Sequence, residues 1–233
     1  MVNILLTGAS RGIGAAARRA LTAAGHHVIG QSTAGGNGCI AADFAGPRAA
    51  DALWQEALAA GGGRIDVLVN NAGVFEAADI GDADGFAATW TRSHAINLQA
   101  AADLCRHAVL HFQASGGGRI INVASRAGHR GDSPDHWHYA AAKAGMIALT
   151  KTIARGYALQ NILAFAVAPG FTMTGMAEEY LSSRGGDKLL ADIPLGKVAD
   201  AEEVAEAIRW LASDAPASLT GSTLDINGAS YVR

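Results

Sequence analysis

The sequence predicts a doubly wound α/β domain, in which helices cover both faces of a parallel sheet. Three observations lead to this fold class. Short runs rich in β-branched residues alternate with longer alanine-rich stretches of helical period, half of the 233 residues are hydrophobic, and glycines follow the ends of helical stretches. A chain of this length and composition is long enough for one globular core. We therefore expect a single domain over residues 1–233.

The strand candidates are short apolar runs of β-branched character. They lie at residues 3–7, 27–31, 38–42, 65–70, 118–124, 162–168 and 222–226. Because helical stretches separate them, the pattern predicts a seven-stranded parallel sheet with helices on both faces.

Five stretches between the strands carry apolar residues at helical spacing. They are residues 13–24, 47–60, 86–113, 138–159 and 201–212. Gly25, Gly61 and Gly116 lie just after helix ends, where the chain needs a left-handed turn. Only residues 32–37 join the second and third strands, and a crossover helix takes roughly ten or more residues. We expect a bare loop at that edge of the sheet.

Charge and cysteine content exclude several classes of partner. The 18 basic and 21 acidic side chains give a net charge of -3, so no broad attraction to nucleic acid or anionic lipid is expected. Cys39 and Cys105 are too few for a disulfide framework and indicate reduced thiols. The apolar start, residues 1–6, is shorter than a signal peptide or a membrane span of about 20 residues. We expect a cytoplasmic protein without a membrane partner.

A glycine-rich turn follows the first strand and opens the first helix. Gly8, Gly12 and Gly14 allow a pyrophosphate to approach the backbone, where free amides and the helix dipole attract it. The Gly-x-x-x-Gly-x-Gly spacing differs from the common dinucleotide fingerprint, and the chain has 29 glycines. Alone, the motif leaves a tight strand-to-helix turn as an alternative.

Polar residues in later segments decide whether this turn binds a nucleotide or is only a tight strand-to-helix turn. Residues 70–73 read Asn-Asn-Ala-Gly at the end of the fourth strand, and Ser125 ends the fifth. Tyr139 and Lys143 open the next helix four residues apart, so both side chains leave from one face and can meet one ligand.

With these segments in this order, the chain resembles the short-chain dehydrogenase/reductase family over nearly its whole length, in particular the 3-oxoacyl-(acyl carrier protein) reductase-like oxidoreductases. The other matching segments are Asp43, Asn97 within residues 96–98, residues 118–125, Pro169-Gly170, Thr172, Thr174 and residues 225–228. The resemblance implies a Rossmann-type domain and an NAD(P)-dependent oxidoreductase that interconverts a carbonyl and a secondary alcohol by hydride transfer.

The resemblance also implies the catalytic residues. Tyr139 would be the acid/base and Ser125 would hydrogen-bond the same substrate oxygen, whereas a strand-end cap is the alternative for Ser125. Lys143 would hold the nicotinamide ribose, and its ammonium, with the positive charge of oxidised nicotinamide, should lower the pKa of Tyr139. Asn97 would support a water that links Lys143 to solvent, with a helix brace as the alternative.

NADP is the expected cofactor, and NAD is the alternative. The second strand ends in Gln31-Ser32-Thr33 without the carboxylate that selects NAD. Arg11, with the hydroxyls of Ser32 and Thr33, can pair with a 2′-phosphate. The residues expected to bind the dinucleotide are Gly8, Ser10, Arg11, Gly12, Ile13, Gly14, Gln31, Ser32, Thr33, Asp43, Phe44, Asn71, Ala72, Gly73, Tyr139, Lys143, Pro169, Gly170, Thr172 and Thr174.

Substrate contacts are expected from loops at residues 126–138 and 171–196. The first loop is polar and rich in histidine, which favours a small hydroxylated or anionic substrate. His136 and His138 lack a third ligand, so solvated loop histidines are expected and no metal site. Trp137 can line the substrate pocket or anchor the loop.

The alternative functions are a 3-oxoacyl-(acyl carrier protein) reductase, a cyclic diol or sugar dehydrogenase, and a catalytically silent dinucleotide-binding protein. By resemblance, helices 86–113 and 138–159 would pair in a homotetramer or homodimer.

Overall fold

A parallel sheet forms the centre of the computed structural model, which describes residues 1–173 and 190–233. The strands are β1 (Asn3–Leu6), β2 (His27–Ser32), β3 (Cys39–Ala41), β4 (Val67–Asn70), β5 (Gly118–Val123), β6 (Ile162–Pro169), β7 (Thr172–Met173), β8 (Ala199–Asp200) and β9 (Thr223–Ile226). Within the described chain, seven of them pair in the order β3-β2-β1-β4-β5-β6-β9, which confirms the predicted sheet. The short strands β7 and β8, which the sequence pattern did not predict, form a separate parallel pair.

The predicted helical stretches are all present. The helices of the described residues are α1 (Gly12–Ala23), α2 (Ala49–Ala60), α3 (Ala83–His94), α4 (Ala100–Ser115), α5 (Ala127–Arg130), α6 (Trp137–Tyr157) and α7 (Ala201–Ser213). The stretch predicted as one helix at 86–113 is instead α3 and α4, joined by a π-helical turn at Ala95–Gln99. Such turns insert an extra residue into the helix and are frequent at functional sites. Within the described ranges, none of the helices is long and apolar enough to cross a membrane.

Two hydrophobic clusters bury the two faces of the sheet. Leu68 of β4 packs into the cluster that contains Trp54 of α2 and Phe112 of α4. The next residue, Val69, packs into the opposite cluster with Leu21 of α1 and Ile208 of α7. Because successive side chains of a strand point to opposite faces, a sheet covered on both sides has continuous apolar strands. This explains the uninterrupted apolar runs of the sequence.

Arg18 of α1 contacts the loop between β2 and β3, at the sheet edge where a bare loop was expected. No helix joins β2 to β3, as the short connection predicted. However, Arg18 Nη1 donates to the Asn37 carbonyl at 2.8 Å and lies 3.5 Å from Cys39 Sγ. The loop is therefore held by a guanidinium from a helix outside it. Sequence spacing did not show this contact.

A buried chain of hydrogen bonds fixes α6 against β4 and β5. Asn70 Nδ2 donates to Asn122 Oδ1 at 2.9 Å, and Asn122 Nδ2 donates to Thr150 Oγ1 at 2.9 Å. The Thr150 hydroxyl in turn donates to the Met146 carbonyl at 2.8 Å. These polar groups are buried, so each needs its partner to offset the cost of losing water. The network thus sets the position of the helix that carries Tyr139.

We expect Thr150→Val to destabilise the protein by about 1–3 kcal/mol, because the Asn122 amide would lose its buried acceptor. The matched control is Thr152→Val on the exposed side of the same helix, where the change should cost less than about 0.5 kcal/mol. Urea unfolding of the two variants measures the difference. Equal losses would contradict the role assigned to the network.

Candidate active site

The glycine turn between β1 and α1 leaves no room for a side chain at Gly8 or Gly14. Gly8 and Gly12 have positive φ values of 65° and 52°. A Cβ atom at Gly14 would overlap the Gly8 carbonyl oxygen, and one at Gly8 would lie 2.9 Å from the Ala72 Cα. The first amides of α1 lack intrahelical partners, as at any helix start, and can face an anion. The cradle therefore fits the pyrophosphate of a dinucleotide.

Two neighbouring segments hold the glycine turn at Gly8. Gly8 N donates to Gln31 Oε1 at 2.8 Å, and Gln31 Nε2 donates to the Ala42 carbonyl at 2.7 Å. Asn71 Nδ2 donates to the carbonyls of Thr7 and Gly8 at 3.0 and 3.2 Å. Gln31 and Asn71 therefore point their side chains at the turn. They brace the cradle from the ends of β2 and β4.

Thr7 fixes the loop that follows β4, although the predicted site set did not include it. Its buried hydroxyl accepts hydrogen bonds from Asn71 N at 2.9 Å and Ala72 N at 3.0 Å. The available signal was a threonine at the end of a buried strand, directly before the first glycine. Its hydroxyl ties the two loops on either side of the expected cofactor cleft.

The residues predicted for the adenosine side differ in accessibility. Ser10, Arg11, Thr33 and Asp43 are exposed. Ser32 is buried and its hydroxyl donates to the Gly35 carbonyl at 3.1 Å, while the Phe44 ring lies in the hydrophobic core. Asp43 Oδ1 accepts from Ala45 N at 3.0 Å. The side chains of Ser32 and Phe44 therefore contact the protein, while Arg11 and Thr33 remain accessible.

Ser125 and Tyr139 lie together beyond the end of β5. Ala127 N donates to Ser125 Oγ at 3.1 Å. Burial raises the pKa of Tyr139 to about 12, and the neighbouring Ser125 hydroxyl opposes the rise. In the chain by itself, loss of hydration outweighs the neighbours of Tyr139. The expected lowering of this pKa includes the charge of an oxidised nicotinamide and stays a prediction.

Lys143 lies one helical turn beyond Tyr139, on the same face of α6. Its Nζ atom is 5.7 Å from the centroid of the Tyr139 ring and donates to the Val123 carbonyl at 2.8 Å. Burial lowers the pKa of Lys143 to about 8. The predicted pairing of these two side chains is present, and the ammonium is held by the end of β5.

Asn97 lies in the π-helical turn and holds the loop after β4. Its Nδ2 atom donates to the Val74 carbonyl at 3.0 Å and to Ser93 Oγ at 2.9 Å, and its Oδ1 atom accepts from Val74 N at 3.0 Å. A Cβ atom at Gly73 would lie 2.8 Å from Asn97 Oδ1 and 3.6 Å from Lys143 Nζ. The amide braces the loop, and Gly73 allows Asn97 and Lys143 to approach each other.

The segment after β6 is tied to the end of the sheet. Gly170 N donates to the Ile226 carbonyl at 2.9 Å, and Thr172 Oγ1 donates to the Gly170 carbonyl at 3.3 Å. The Pro169 carbonyl accepts from Arg126 N at 2.9 Å. Thr174, the last predicted cofactor residue, lies outside the described residues.

The histidines of the first substrate loop are packed, so the expectation of solvated histidines is wrong. The His136 ring stacks on Phe75 with centroids 3.8 Å apart, and Phe75 contacts the Tyr139 ring edge-on at 4.9 Å. His138 is buried with Nε2 at 2.8 Å from the Glu76 carbonyl. Trp137 is exposed and contacts Phe86 edge-on at 5.9 Å. The prediction missed Phe75, because nothing in the sequence shows that it contacts Tyr139.

Among residues 1–173 and 190–233, no cluster of three or more metal-binding side chains is present.

Comparisons with known proteins agree with this geometry. The family described as Enoyl-(Acyl carrier protein) reductase matches residues 8–229. The chain belongs to the short-chain dehydrogenase/reductase family. A relative in Escherichia coli (strain K12), 3-oxoacyl-[acyl-carrier-protein] reductase FabG, is 34% identical over 98% of this chain and 96% of its own. A second relative, cis-4-hydroxycyclohexanecarboxylate dehydrogenase of Sinomonas cyclohexanicum, is 37% identical over 96% of this chain and 94% of its own.

A solved structure supports the fold of this short-chain dehydrogenase/reductase. The crystal structure of gox2181 superposes with a TM-score of 0.90, covering 98% of this chain and 95% of that one, at 24% identity. The family and its relatives establish the reaction class. The chain is an NAD(P)-dependent oxidoreductase that interconverts a carbonyl and an alcohol.

Burial of Lys143 should make the stability of this short-chain dehydrogenase/reductase depend on pH. The folded-state pKa of about 8 lies below the ordinary 10.5, so between these values the unfolded chain binds a proton that the folded chain does not. Unfolding free energy should therefore rise with pH in this window, by up to about 3 kcal/mol relative to Lys143→Met. Urea unfolding from pH 7.5 to 10 measures the difference between the two proteins.

The control for this measurement is Lys151→Met, on an exposed position of the same helix. The difference in unfolding free energy between Lys151→Met and the parent should stay constant over the same pH range. A flat difference for Lys143→Met as well would show that its ammonium is not desolvated in solution.

Proposed function

We propose that this oxidoreductase acts on a small polar substrate and that Tyr139 is its acid/base. The observation that supports this assignment is that the Ser125 hydroxyl neighbours Tyr139, with Lys143 buried one turn away. Two hydroxyls meet at one point, so both can contact a single substrate oxygen. The glycine cradle lies at the same end of the sheet, because parallel strands bring their carboxyl ends together.

We propose that the cradle holds the dinucleotide through its pyrophosphate. The lack of space for a Cβ atom at Gly8 and Gly14 supports this role, because a ligand can then approach the backbone directly. When bound, the nicotinamide supplies or accepts the hydride. The residues proposed to hold the cofactor are those predicted above, with Gln31 and Thr7 acting as braces of the cradle. Asp43 would meet the adenine, and Asn71 and Ala72 would line the adenosine side.

We propose that Tyr139 donates its proton to the carbonyl oxygen during reduction and takes it back during oxidation. With a pKa of about 12, the phenol is protonated at neutral pH and ready to donate. Ser125 donates to the same oxygen, and the Lys143 ammonium stabilises the phenolate that remains. Asn97 is proposed to support a water between Lys143 and solvent. Its nearness to Lys143 across Gly73 supports that role.

Tyr139→Phe should lower kcat by about 10²- to 10⁴-fold, because the ring is kept while the transferable proton is lost. Binding of the dinucleotide, followed by its fluorescence, should persist. Tyr157→Phe, near the other end of the same helix, is the matched control and should keep the parent rate. Turnover of a panel of ketones and alcohols with both cofactors measures the effect. An unchanged rate for Tyr139→Phe would refute the assignment, and no turnover by the parent would favour a silent dinucleotide-binding protein.

We propose NADP as the preferred cofactor over NAD. β2 ends without a carboxylate that would repel a 2′-phosphate, Thr33 directly follows that strand, and the side chains of Arg11 and Thr33 are both exposed. Ser32 contributes less to this proposal than its sequence position suggested, because its hydroxyl already donates to Gly35. A guanidinium pairs with phosphate oxygens through two parallel hydrogen bonds.

NADPH should bind at least about tenfold more tightly than NADH, a difference of about 1.4 kcal/mol. Arg11→Gln should reduce this preference, because NADH lacks the phosphate. Arg19→Gln is the control, since this exposed arginine of α1 pairs with Glu202. Fluorescence titration with both nucleotides measures the ratio. A preference for NADH in the parent would overturn the proposal.

Two substrate classes remain as second candidates, each favoured by a relative. The FabG of Escherichia coli favours a 3-oxoacyl group on acyl carrier protein. The Sinomonas cyclohexanicum enzyme favours a cyclic alcohol that carries a carboxylate. Residues 113–117 and 159–160 offer no cation to attract an acidic carrier protein. This absence favours a small substrate.

We further propose that the chain acts as one dinucleotide-binding and catalytic unit with substrate loops at 126–138 and 171–196. Residues 174–189 of the second loop lie outside the described ranges. A homotetramer or homodimer through α3–α4 and α6 is supported by two leucines, Leu110 and Leu159, which are exposed on or beside these helices. Free thiols at Cys39 and Cys105 support a cytoplasmic location.

A further inference from the structure

Two arginines in the segment after Ser125 share the carboxylate of Asp192. Arg126 directly follows Ser125, and Arg130 ends the short helix α5. Arg126 Nη1 lies 3.2 Å from Asp192 Oδ2, and Arg130 Nη1 lies 2.9 Å from the same oxygen. We call Arg126 and Arg130 the arginine pair.

The arginine pair lies on the substrate side of the cleft. Arg126 N donates to the Pro169 carbonyl at 2.9 Å, and its guanidinium lies 5.2 Å from the centroid of the Phe171 ring. The pair therefore lies between Ser125 and the segment that begins at Pro169-Gly170. These are the two parts of the chain from which substrate contacts are expected.

Within residues 1–173 and 190–233, the charge of this cluster is unbalanced. Two guanidinium groups meet the Asp192 carboxylate, Arg130 also donates to the Ser230 carbonyl at 2.8 Å, and only 11% of the Arg126 side chain is exposed. A guanidinium has five N–H donors, and among the described residues Arg126 directs one hydrogen bond to Asp192. Burial and the charge of Arg130 both lower the pKa of Arg126, while Asp192 and, more weakly, Asp132 oppose them. Asp192 and Asp132 are both exposed to solvent, so they neutralise the buried cation only in part.

We propose that the arginine pair binds a carboxylate of the substrate, so that the enzyme acts on a keto acid or the corresponding hydroxy acid. This inference rests on the proposed function, because it assigns a subsite next to the proposed acid/base. A second carboxylate would complete the charge balance, and guanidinium groups match carboxylates with two parallel hydrogen bonds. Phe75, which contacts Tyr139 and is partly exposed, offers an apolar surface for the carbon frame of such a molecule.

A purely structural clamp is the competing explanation. In that case the arginine pair would only hold Asp192 and the segment that follows it. The two explanations differ in the effect of Asp192→Asn. If the pair is a subsite, this change removes a competing carboxylate and strengthens substrate carboxylate binding. If the pair is a clamp, Asp192→Asn and Arg126→Gln should damage the enzyme alike.

The experiment compares keto acids with their methyl esters, which keep the carbonyl and lose the charge. The probes are 3-oxobutanoate, 4-oxopentanoate and 4-oxocyclohexanecarboxylate, measured with the preferred nucleotide. For the best pair, kcat/KM should favour the acid by roughly 10- to 100-fold, the range expected for hydrogen bonds to a charged group. Arg126→Gln should abolish most of the acid-over-ester preference in kcat/KM, and Arg126→Lys should retain part of it. Asp192→Asn should increase this preference.

A binding measurement makes the test independent of turnover. Calorimetric titration of the protein saturated with dinucleotide should show that cyclohexanecarboxylate binds at least about tenfold more tightly than cyclohexanecarboxamide. The control variant is Arg155→Gln, an exposed arginine of α6 that lies 16 residues, or about 24 Å of helix, from Tyr139. It should leave both ratios unchanged. Thermal melting and nucleotide binding establish that each variant is folded.

The outcomes separate this inference from the proposed function. Carboxylate binding without turnover of any probe would support the subsite and count against the acid/base assignment. Turnover in which esters equal acids would support the assignment and overturn the subsite. A parallel loss of acid preference in Asp192→Asn and Arg126→Gln, or equal binding of carboxylate and carboxamide, would also overturn the subsite.

Discussion

The contact between Gly14 and the Gly8 carbonyl determines where α1 begins, and the rest of the site depends on it. No side chain fits there, so the helix can start directly above the end of β1. The preceding peptide group, between Thr7 and Gly8, donates to Gln31 of β2 through its N–H and accepts from Asn71 after β4 through its carbonyl. Three strand ends are thereby held around one peptide group. The free amides of α1 and the loops on both sides of the expected cleft are positioned together, and an added methyl group at Gly14 would disturb all of them.

Loss of hydration is the dominant electrostatic effect in the catalytic part of the site. It raises the pKa of Tyr139 and lowers the pKa of Lys143, so in both cases it favours the uncharged form. A buried phenol and a buried amine cannot by themselves stabilise a phenolate as well as water does. The arrangement is suited to donating a proton at neutral pH. Taking it back requires an additional positive charge close to the ring, and an oxidised nicotinamide carries such a charge.

The side chains on the expected substrate side of the cleft are the candidates for the selectivity of this enzyme. A fold of this kind supports many reactions, so selectivity has to come from particular side chains. Here the Phe75–His136 stack meets the Tyr139 ring, and the arginine pair lies on the segment after Ser125. The proposed subsite combines this apolar surface with the arginine pair, and it would favour a compact acid over an extended acyl chain. The subsite proposal and the absence of cations at residues 113–117 therefore agree.

The sequence by itself determined the seven-stranded parallel sheet, its helices, the glycine turn and the Tyr139–Lys143 face. These features depend on period and spacing over a few residues, which the chain carries locally. Only the tertiary structure decided that Gln31 points inward, that Asn97 lies in a π-helical turn, and that Arg18 covers the sheet edge. It also decided the direction of the Tyr139 pKa shift and the meeting of Arg126 with Asp192, which are 66 residues apart. Contacts over such separations, and the burial that controls pKa values, arise from packing between elements, which no local pattern encodes.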